Sequence, residues 1–241
     1  MQNKGLAKRH FMGAVDVREG RVFPAFIDDY VENGGHLVRF PGLEALAQKG
    51  HPQIGGIDQG GAHATVIVTA LVAQKTETIL VFGESVNTGR SAVESAYDAK
   101  SMILPGKVPT WGYDPAMKAK EYGRDTDYSL IQEYFEVLGE ENMYEGIRGE
   151  DGFQLVNRML ERKDNYVTGT AIPSFLVFDN CYQTRETMLK LTWKMVRNQR
   201  DKWMVDVGDG LKIMASVARL VKTANTPTRD IFKANLAYNP R

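Results

Sequence analysis

The sequence predicts an α/β protein, a mixed β-sheet flanked by α-helices, and three observations predict it. Three β-rich runs follow one another through short polar turns in the first ninety residues. The hydrophobic period then lengthens to that of helices. Two short apolar strands interrupt the helical part, so the sheet must take strands from both halves of the chain.

Residues 1–30 read as a linker segment leading into a folded domain of 31–241, and they run irregularly through Val22-Phe23-Pro24-Ala25-Phe26. A short strand is expected from His36 to Phe40. Next come Ile54-Gly55-Gly56-Ile57-Asp58, a turn at Gln59-Gly60-Gly61, the β-branched run Ala64 to Leu71, and Thr78 to Glu84. Strands joined so tightly form an antiparallel meander. Ser91 to Met102 reads as a helix closed off by Pro105-Gly106, and Pro109 to Tyr113 as a fourth strand that Asp114-Pro115 terminates. Ser129 with Gln132 has capping-box spacing, and the apolar stripe behind it stops at Gly139. Asp151 with Gln154 opens another helix, Ser174 to Phe178 is an apolar strand, and helices are expected over Arg185 to Arg200 and Asp209 to Thr223. The tail from Asn225 reads as loosely held. Meander, helix, strand, helices, strand, helices is the ribonuclease H-like order. Nucleases, transposases and sugar-kinase-type ATPases share it, so the order alone does not decide function.

Composition narrows the class. Hydrophobic residues at 43% and charged residues at 25% of 241 suit a water-soluble globular domain, and the single cysteine, Cys181, excludes an internal disulfide framework. No apolar run approaches the ~20 residues that span a bilayer, and Met1-Gln2-Asn3-Lys4 lacks the apolar stretch of a secretion signal. The formal net charge is zero, so a nucleic-acid partner would need a local basic face.

Three carboxylates fall at informative element ends: Asp58 after the first meander strand, Asp114 after the fourth, and Asp209 opening the last helix, with Asp206 one turn earlier. In a ribonuclease H-like sheet the first and fourth strands are neighbours and the last helix packs over their ends, so these acids would converge. Clustered carboxylates repel, and cations or protons must lie between them. Ligands that are all oxygen favour Mg²⁺ or Mn²⁺, and two such ions can support phosphodiester cleavage. Each acid alone has an ordinary explanation: a hairpin turn for Asp58, a strand exit for Asp114, a helix cap for Asp206 or Asp209. The signal lies in the set. Glu84 is a fourth acid, expected at the surface or behind the site.

Lys190, Lys194 and Arg197 recur at i, i+4 and i+7, with Arg200 and Lys202 beyond, which predicts one basic helix face able to contact phosphates. The ordinary alternative is a solvated face. His10, His36, His51 and His63 lack metal-ligand spacing and are expected in loops or at the surface.

Arg18-Glu19-Gly20-Arg21-Val22-Phe23-Pro24-Ala25-Phe26 resembles the segment leading into the nuclease domains of tailed-bacteriophage terminase large subunits. Gly56-Ile57-Asp58-Gln59-Gly60 is similar to their first acid motif, and Tyr113-Asp114-Pro115-Ala116 to their second. Asp206-Val207-Gly208-Asp209-Gly210-Leu211 is similar to their third, while Phe175 to Met188, with Cys181 and Glu186, resembles the strand and helix between. The third motif departs from the pattern: Gly210 stands where alanine is usual, Lys212-Ile213 where Arg-Tyr is usual, and no histidine is present. The resemblance implies a metal-dependent endonuclease that cuts concatemeric double-stranded viral DNA in the host bacterial cytoplasm. Its implied partners are DNA, the terminase ATPase domain, the small terminase subunit and the portal protein. No G-x-x-x-x-G-K-[ST] loop is present, so the resemblance implies the nuclease half alone, as an expressed fragment with Met1 added. Asp58-Gln59-Gly60-Gly61 with Gly208-Asp209-Gly210 also resembles the phosphate loops of actin-like ATPases and sugar kinases. A Holliday-junction resolvase and a DNA-binding module without catalysis complete the alternatives.

Overall fold

The run Ala64–Ala73 is β-branched or small almost throughout, and it is buried at all ten positions. A strand covered on both faces loses polar alternation, and this one lies mid-sheet. In the computed structural model, which describes residues 20–60, 63–74, 76–118, 129–165 and 170–221, it is strand β3. Its antiparallel neighbours are β2, Gln53–Asp58, and β4, Thr78–Thr88, which together make the expected meander. Beyond β2 lie β5, Thr110–Tyr113, and β6, Met143–Glu145, both parallel. Beyond β4 lie β9, Phe175–Phe178, and β1, Leu37–Val38, parallel again. The seven-stranded order is β1-β9-β4-β3-β2-β5-β6, a mixed α/β sheet of ribonuclease H-like arrangement. A separate antiparallel pair, β7, Arg162–Asn165, with β8, Thr170–Pro173, stands outside it.

Short helix α1, Leu43–Ala47, follows β1. On one sheet face, Ile57, Ile67, Trp111 and Tyr113 meet α2, Ala92–Ser101, and α3, Leu130–Leu138. Both helices begin with a capping box, Ser91 with Glu94 and Ser129 with Gln132. The other face, through Val66, Val68, Val81 and Val177, carries α4, Glu150–Leu160, α5, Tyr182–Lys190, α6, Trp193–Asn198, and α7, Lys202–Val217. Val22, Phe23 and Phe26 are fully enclosed in this second core.

Two helix boundaries differ from expectation. The single helix over Arg185 to Arg200 is broken at Leu191 and Thr192, which are extended. The N-terminal segment pairs with the break, since the Val22 amide donates to Leu191 O at 2.9 Å and the Trp193 amide to Gly20 O at 2.8 Å. Thr192 then caps α6 by accepting from the Met195 amide. The last helix starts at Lys202 rather than Asp209, after Asp201 in the left-handed region at φ 46°. Two histidines expected in loops or at the surface are buried. His36 accepts from the Ile27 amide at Nδ1 and donates from Nε2 to Leu160 O, while burial and the nearby Lys107 and Lys49 lower His51 to about 4. His10, Gly61, Thr223 and the tail from Asn225 lie outside the described residues.

Helix α7 lies against β2 almost backbone to backbone. A Cβ on Gly56 would stand 2.3 Å from Gly210 O and 2.7 Å from the Met214 amide nitrogen. A Cβ on Gly210 would meet Val66 Cγ1 at 3.1 Å, a far milder contact. Gly56→Ala should therefore force helix and sheet apart and destabilise the protein by about 1–3 kcal/mol. Gly210→Ala should stay within about 1 kcal/mol of the parent, because alanine's helix propensity offsets the crowding. Urea unfolding of the two variants checks this, and equal losses would show that the contact does not set the helix position.

Candidate metal centre

Side chains alternate along a strand, so Asp58 projects on the same face as Gly56, toward α7. Asp206 and Asp209 are three residues apart on α7 and share one helix face. The close approach at Gly56 and Gly210 sets that face over the end of β2. One carboxylate oxygen from each of Asp58, Asp206 and Asp209 then lies within 4.8 Å of the others.

Asp114 sits beside this cluster rather than in it. It follows β5, the parallel neighbour of β2, and its amide donates to Ile57 O at 3.2 Å. Its Oδ1 accepts from the Ala116 amide at 2.7 Å and lies 3.4 Å from Arg148 Nη2. The turn role expected of Asp114-Pro115 is thus filled, while its charge still reaches Asp58.

The electrostatics are those of crowded acids. Close packing, then the charges of Asp209, Asp206 and Asp114, push the Asp58 carboxyl well above the usual carboxylate range, against a smaller opposing pull from Lys202. Asp206 is 2% exposed, and burial raises it too, opposed by its bond from Lys202. The Lys202 ammonium donates to Asp206 Oδ1 at 2.5 Å, while Oδ2 is buried without a hydrogen-bond partner. Burial alone would lower Lys202, but the bond to Asp206 and the neighbouring acids hold it above its ordinary value. Lys212, further along the helix, pairs with Asp209 at 2.5 Å and lies 4.7 Å over the Phe153 ring. Gly152 of α4 leaves room for its stem, since a Cβ there would stand 2.8 Å from Lys212 Cβ.

Three buried or half-buried carboxylates, all oxygen donors, with one oxygen unpartnered, fit a hard divalent cation such as Mg²⁺ or Mn²⁺. The donor set offers neither the nitrogen nor the sulfur that would favour zinc. Glu84 takes no part, because its two oxygens accept from the Gln183 and Thr184 amides at 2.8 and 2.7 Å and so cap α5. Cys181 beside it is buried, and burial pushes its thiol up, so it is a packing residue.

The expected basic face divides at the helix break. Lys190 ends α5 and pairs with Glu186 at 2.7 Å, whereas Lys194 and Arg197 lie exposed on α6 and Arg200 exposed after it. The i, i+4, i+7 spacing therefore does not describe one helix. Lys212 and Arg148 were not among the expected site residues, and Lys202 was expected only as an extension of the basic face rather than beside the acids. The two lysines have a legible signal, since they stand four and three residues from Asp206 and Asp209, but it applies only once α7 is known to begin at Lys202. Arg148 has none, because it reaches Asp114 across a loop. Gly208-Asp209-Gly210 lies inside a helix rather than in a loop, which removes the likeness to a kinase phosphate loop.

No protein-family model matches this sequence, and no curated protein does. Solved structures do. The nuclease domain of the P22 large terminase superposes with a TM-score of 0.54 at 14% identity, over 85% of this chain and 95% of that one. The nuclease domain of the SPP1 large terminase, solved with bound Mn, gives 0.51 at 12% identity over 77% and 96%. The large terminase of a thermophilic bacteriophage gives 0.52 at 13% identity over 84% of this chain, which spans 45% of that longer one. With its strand order, its helix α7 across the end of β2 and these likenesses together, the chain has the fold of a bacteriophage large-terminase nuclease domain.

Proposed function

We propose that this chain is a divalent-metal-dependent endonuclease that cuts concatemeric double-stranded viral DNA during genome packaging. The observation that carries the reading is the convergence of Asp58, Asp206 and Asp209 with an unpartnered oxygen on Asp206. These three acids would hold Mg²⁺ or Mn²⁺, and Asp114 would complete the site for a second ion. Bound divalent ions supply an activated water and charge neutralisation at the leaving oxygen. The residues do the rest. Asp58 and Asp209 would present carboxylate oxygens to a cation from two rigid elements, and Asp206 is locked by burial. Arg148, beside Asp114, offers a cation to a DNA phosphate at the rim. Water adds across one phosphodiester bond, leaving a phosphate monoester on one strand end and a hydroxyl on the other.

The bound Mn of the SPP1 domain supports the metal. By the same likeness, the partners would be duplex DNA, a terminase ATPase domain, a small terminase subunit and a portal protein, in the host bacterial cytoplasm. No described helix is long and apolar enough to cross a membrane. Preference for four-way junctions over linear duplex would instead favour a resolvase.

Purified protein should nick and linearise supercoiled plasmid with Mg²⁺ or Mn²⁺ and stop with EDTA. Asp58→Asn and Asp209→Asn should each abolish cutting, with double variants no worse, since the cluster acts as a unit. Asp114→Asn should lower it by roughly ten- to a hundredfold, as expected when a residue that supports a bound metal loses its charge. Intact plasmid across a range of both metals defeats the proposal, and near-normal cutting by Asp114→Asn removes that residue from the ligands.

The raised carboxyls set a pH dependence. Asp58 and Asp206 bind protons more tightly folded than unfolded, so without metal their contribution to stability grows as pH falls from neutral through their raised values. The gain is complete near the unfolded value of about 3.9. A divalent cation needs the charged form, so its stabilisation runs the other way and fades as pH falls. Melting near pH 7 and near pH 5, in EDTA and in Mn²⁺, reads both trends. Asp58→Asn should raise the metal-free melting temperature near pH 7, and an unchanged value would remove Asp58 from the repelling set.

Replacing Lys194, Arg197 and Arg200 by alanine should weaken duplex binding and make log K less steep against log salt by roughly 0.9 per lost phosphate contact. Adding Lys190→Ala should change little, because Glu186 already holds that ammonium. Fluorescence anisotropy at several salt concentrations measures the slope, and an unaltered slope returns these residues to a solvated surface.

A further inference from the structure

Lys202 is poorly placed for helix stability. It is the first residue of α7, where the unbonded amides and the helix dipole disfavour a cation. Its pairing with Asp206 runs Lys to Asp at i, i+4, the weaker order for such pairs. The residue before it, Asp201, is held in the left-handed region. Local preference therefore does not account for a lysine here, and the acid cluster does. Asp58, Asp206 and Asp209 meet two ammonium groups, Lys202 on Asp206 and Lys212 on Asp209.

The two lysines differ in freedom. Lys212 is buried, its stem packed beside Gly152 and its ammonium over the Phe153 ring, so the surrounding core fixes it. Lys202 keeps more than a quarter of its side chain exposed at the helix end. Its ammonium occupies Asp206 Oδ1 at 2.5 Å, on the carboxylate whose other oxygen is buried and unpartnered. An ammonium and a divalent cation cannot share those oxygens closely, since like charges in a poorly solvated site repel strongly.

We propose that Lys202 is a tethered counter-ion that neutralises Asp206 in the metal-free protein and withdraws to solvent when a divalent cation binds. The inference rests on the metal reading of the acid cluster. Lys202 lets a buried carboxylate be charged before metal arrives, so the site folds without its ion, and metal affinity is reduced by the displacement. A lysine that merely oriented Asp206 for the metal would have the opposite effect.

Titration calorimetry of the metal-stripped 241-residue chain with MnCl₂ separates these cases. Lys202→Met and Lys202→Gln should bind Mn²⁺ tighter by roughly tenfold or more, since they remove the competing charge. Their metal-free melting temperatures should fall and their Mn²⁺-induced stabilisation should grow. Lys202→Arg, which keeps the charge, should bind Mn²⁺ as the parent does or more weakly. Equal or weaker binding by both neutral variants overturns the proposal while leaving the metal reading intact. A parent chain that binds no Mn²⁺ overturns both. Should the neutral variants not fold, the parent still decides: titrating Mg²⁺ should move the Lys202 side-chain ammonium signal in NMR to that of a free, solvent-exchanging lysine. An unshifted signal at saturating Mg²⁺ overturns the displacement.

Discussion

The near contact between the backbones of β2 and α7 at Gly56 and Gly210 governs the geometry of this protein. With a side chain at Gly56 the helix would ride higher, and Asp206 and Asp209 would lift away from Asp58. Because the contact is made of peptide groups and small side chains, little flexible material lies between the two elements that carry the acids. Three carboxylates from a strand end and one helix face can therefore sit within 4.8 Å of each other in a fixed arrangement. A cluster of like charges tends to spread, and only rigid supports hold it together.

That rigidity extends outward. Strand β3, covered on both faces, anchors β2 from one side, and β5 anchors it from the other and delivers Asp114 to the rim. The N-terminal segment, buried through Val22, Phe23 and Phe26, bonds to the break between α5 and α6 and so sets where the chain turns before α7. Glu84 caps α5 from β4, tying the helical layer to the sheet a second time. The acids are thus supported by contacts far from them in sequence.

The charge arrangement follows from the same packing. Asp206 enters the interior with one partner, Lys202, and one free oxygen, and Asp209 shares Lys212 with the Phe153 ring. Asp58 has no such partner among the described residues, and close packing and the neighbouring acids raise its carboxyl well above the usual range. A site of this kind resists being fully charged when empty and gains stability when a cation arrives. Under the proposed metal reading, metal affinity and folding stability would be coupled through the same oxygens.

Much of this was determined by the sequence alone, where the information is local. The unalternating β-branched run of β3, the capping boxes at Ser91 and Ser129, and the prolines and glycines that end elements each act within a few residues, so the antiparallel meander and the α/β class were legible, while the short strand β6 and the pair β7 and β8 were not. Asp58 at a strand end was legible for the same reason, and so was the grouping of Asp206 with Asp209. Tertiary structure decided what depends on distant partners. Whether residues 185–200 form one helix depends on backbone bonds from Gly20 and Val22, and α7 begins at Lys202 only after that break. The helix start in turn puts Lys202 and Lys212 beside the acids, and the loop carrying Arg148 brings it to Asp114. Hydrogen bonding within a segment can be read from its residues, but which charges meet across the fold is fixed by the packing of the sheet and its helices.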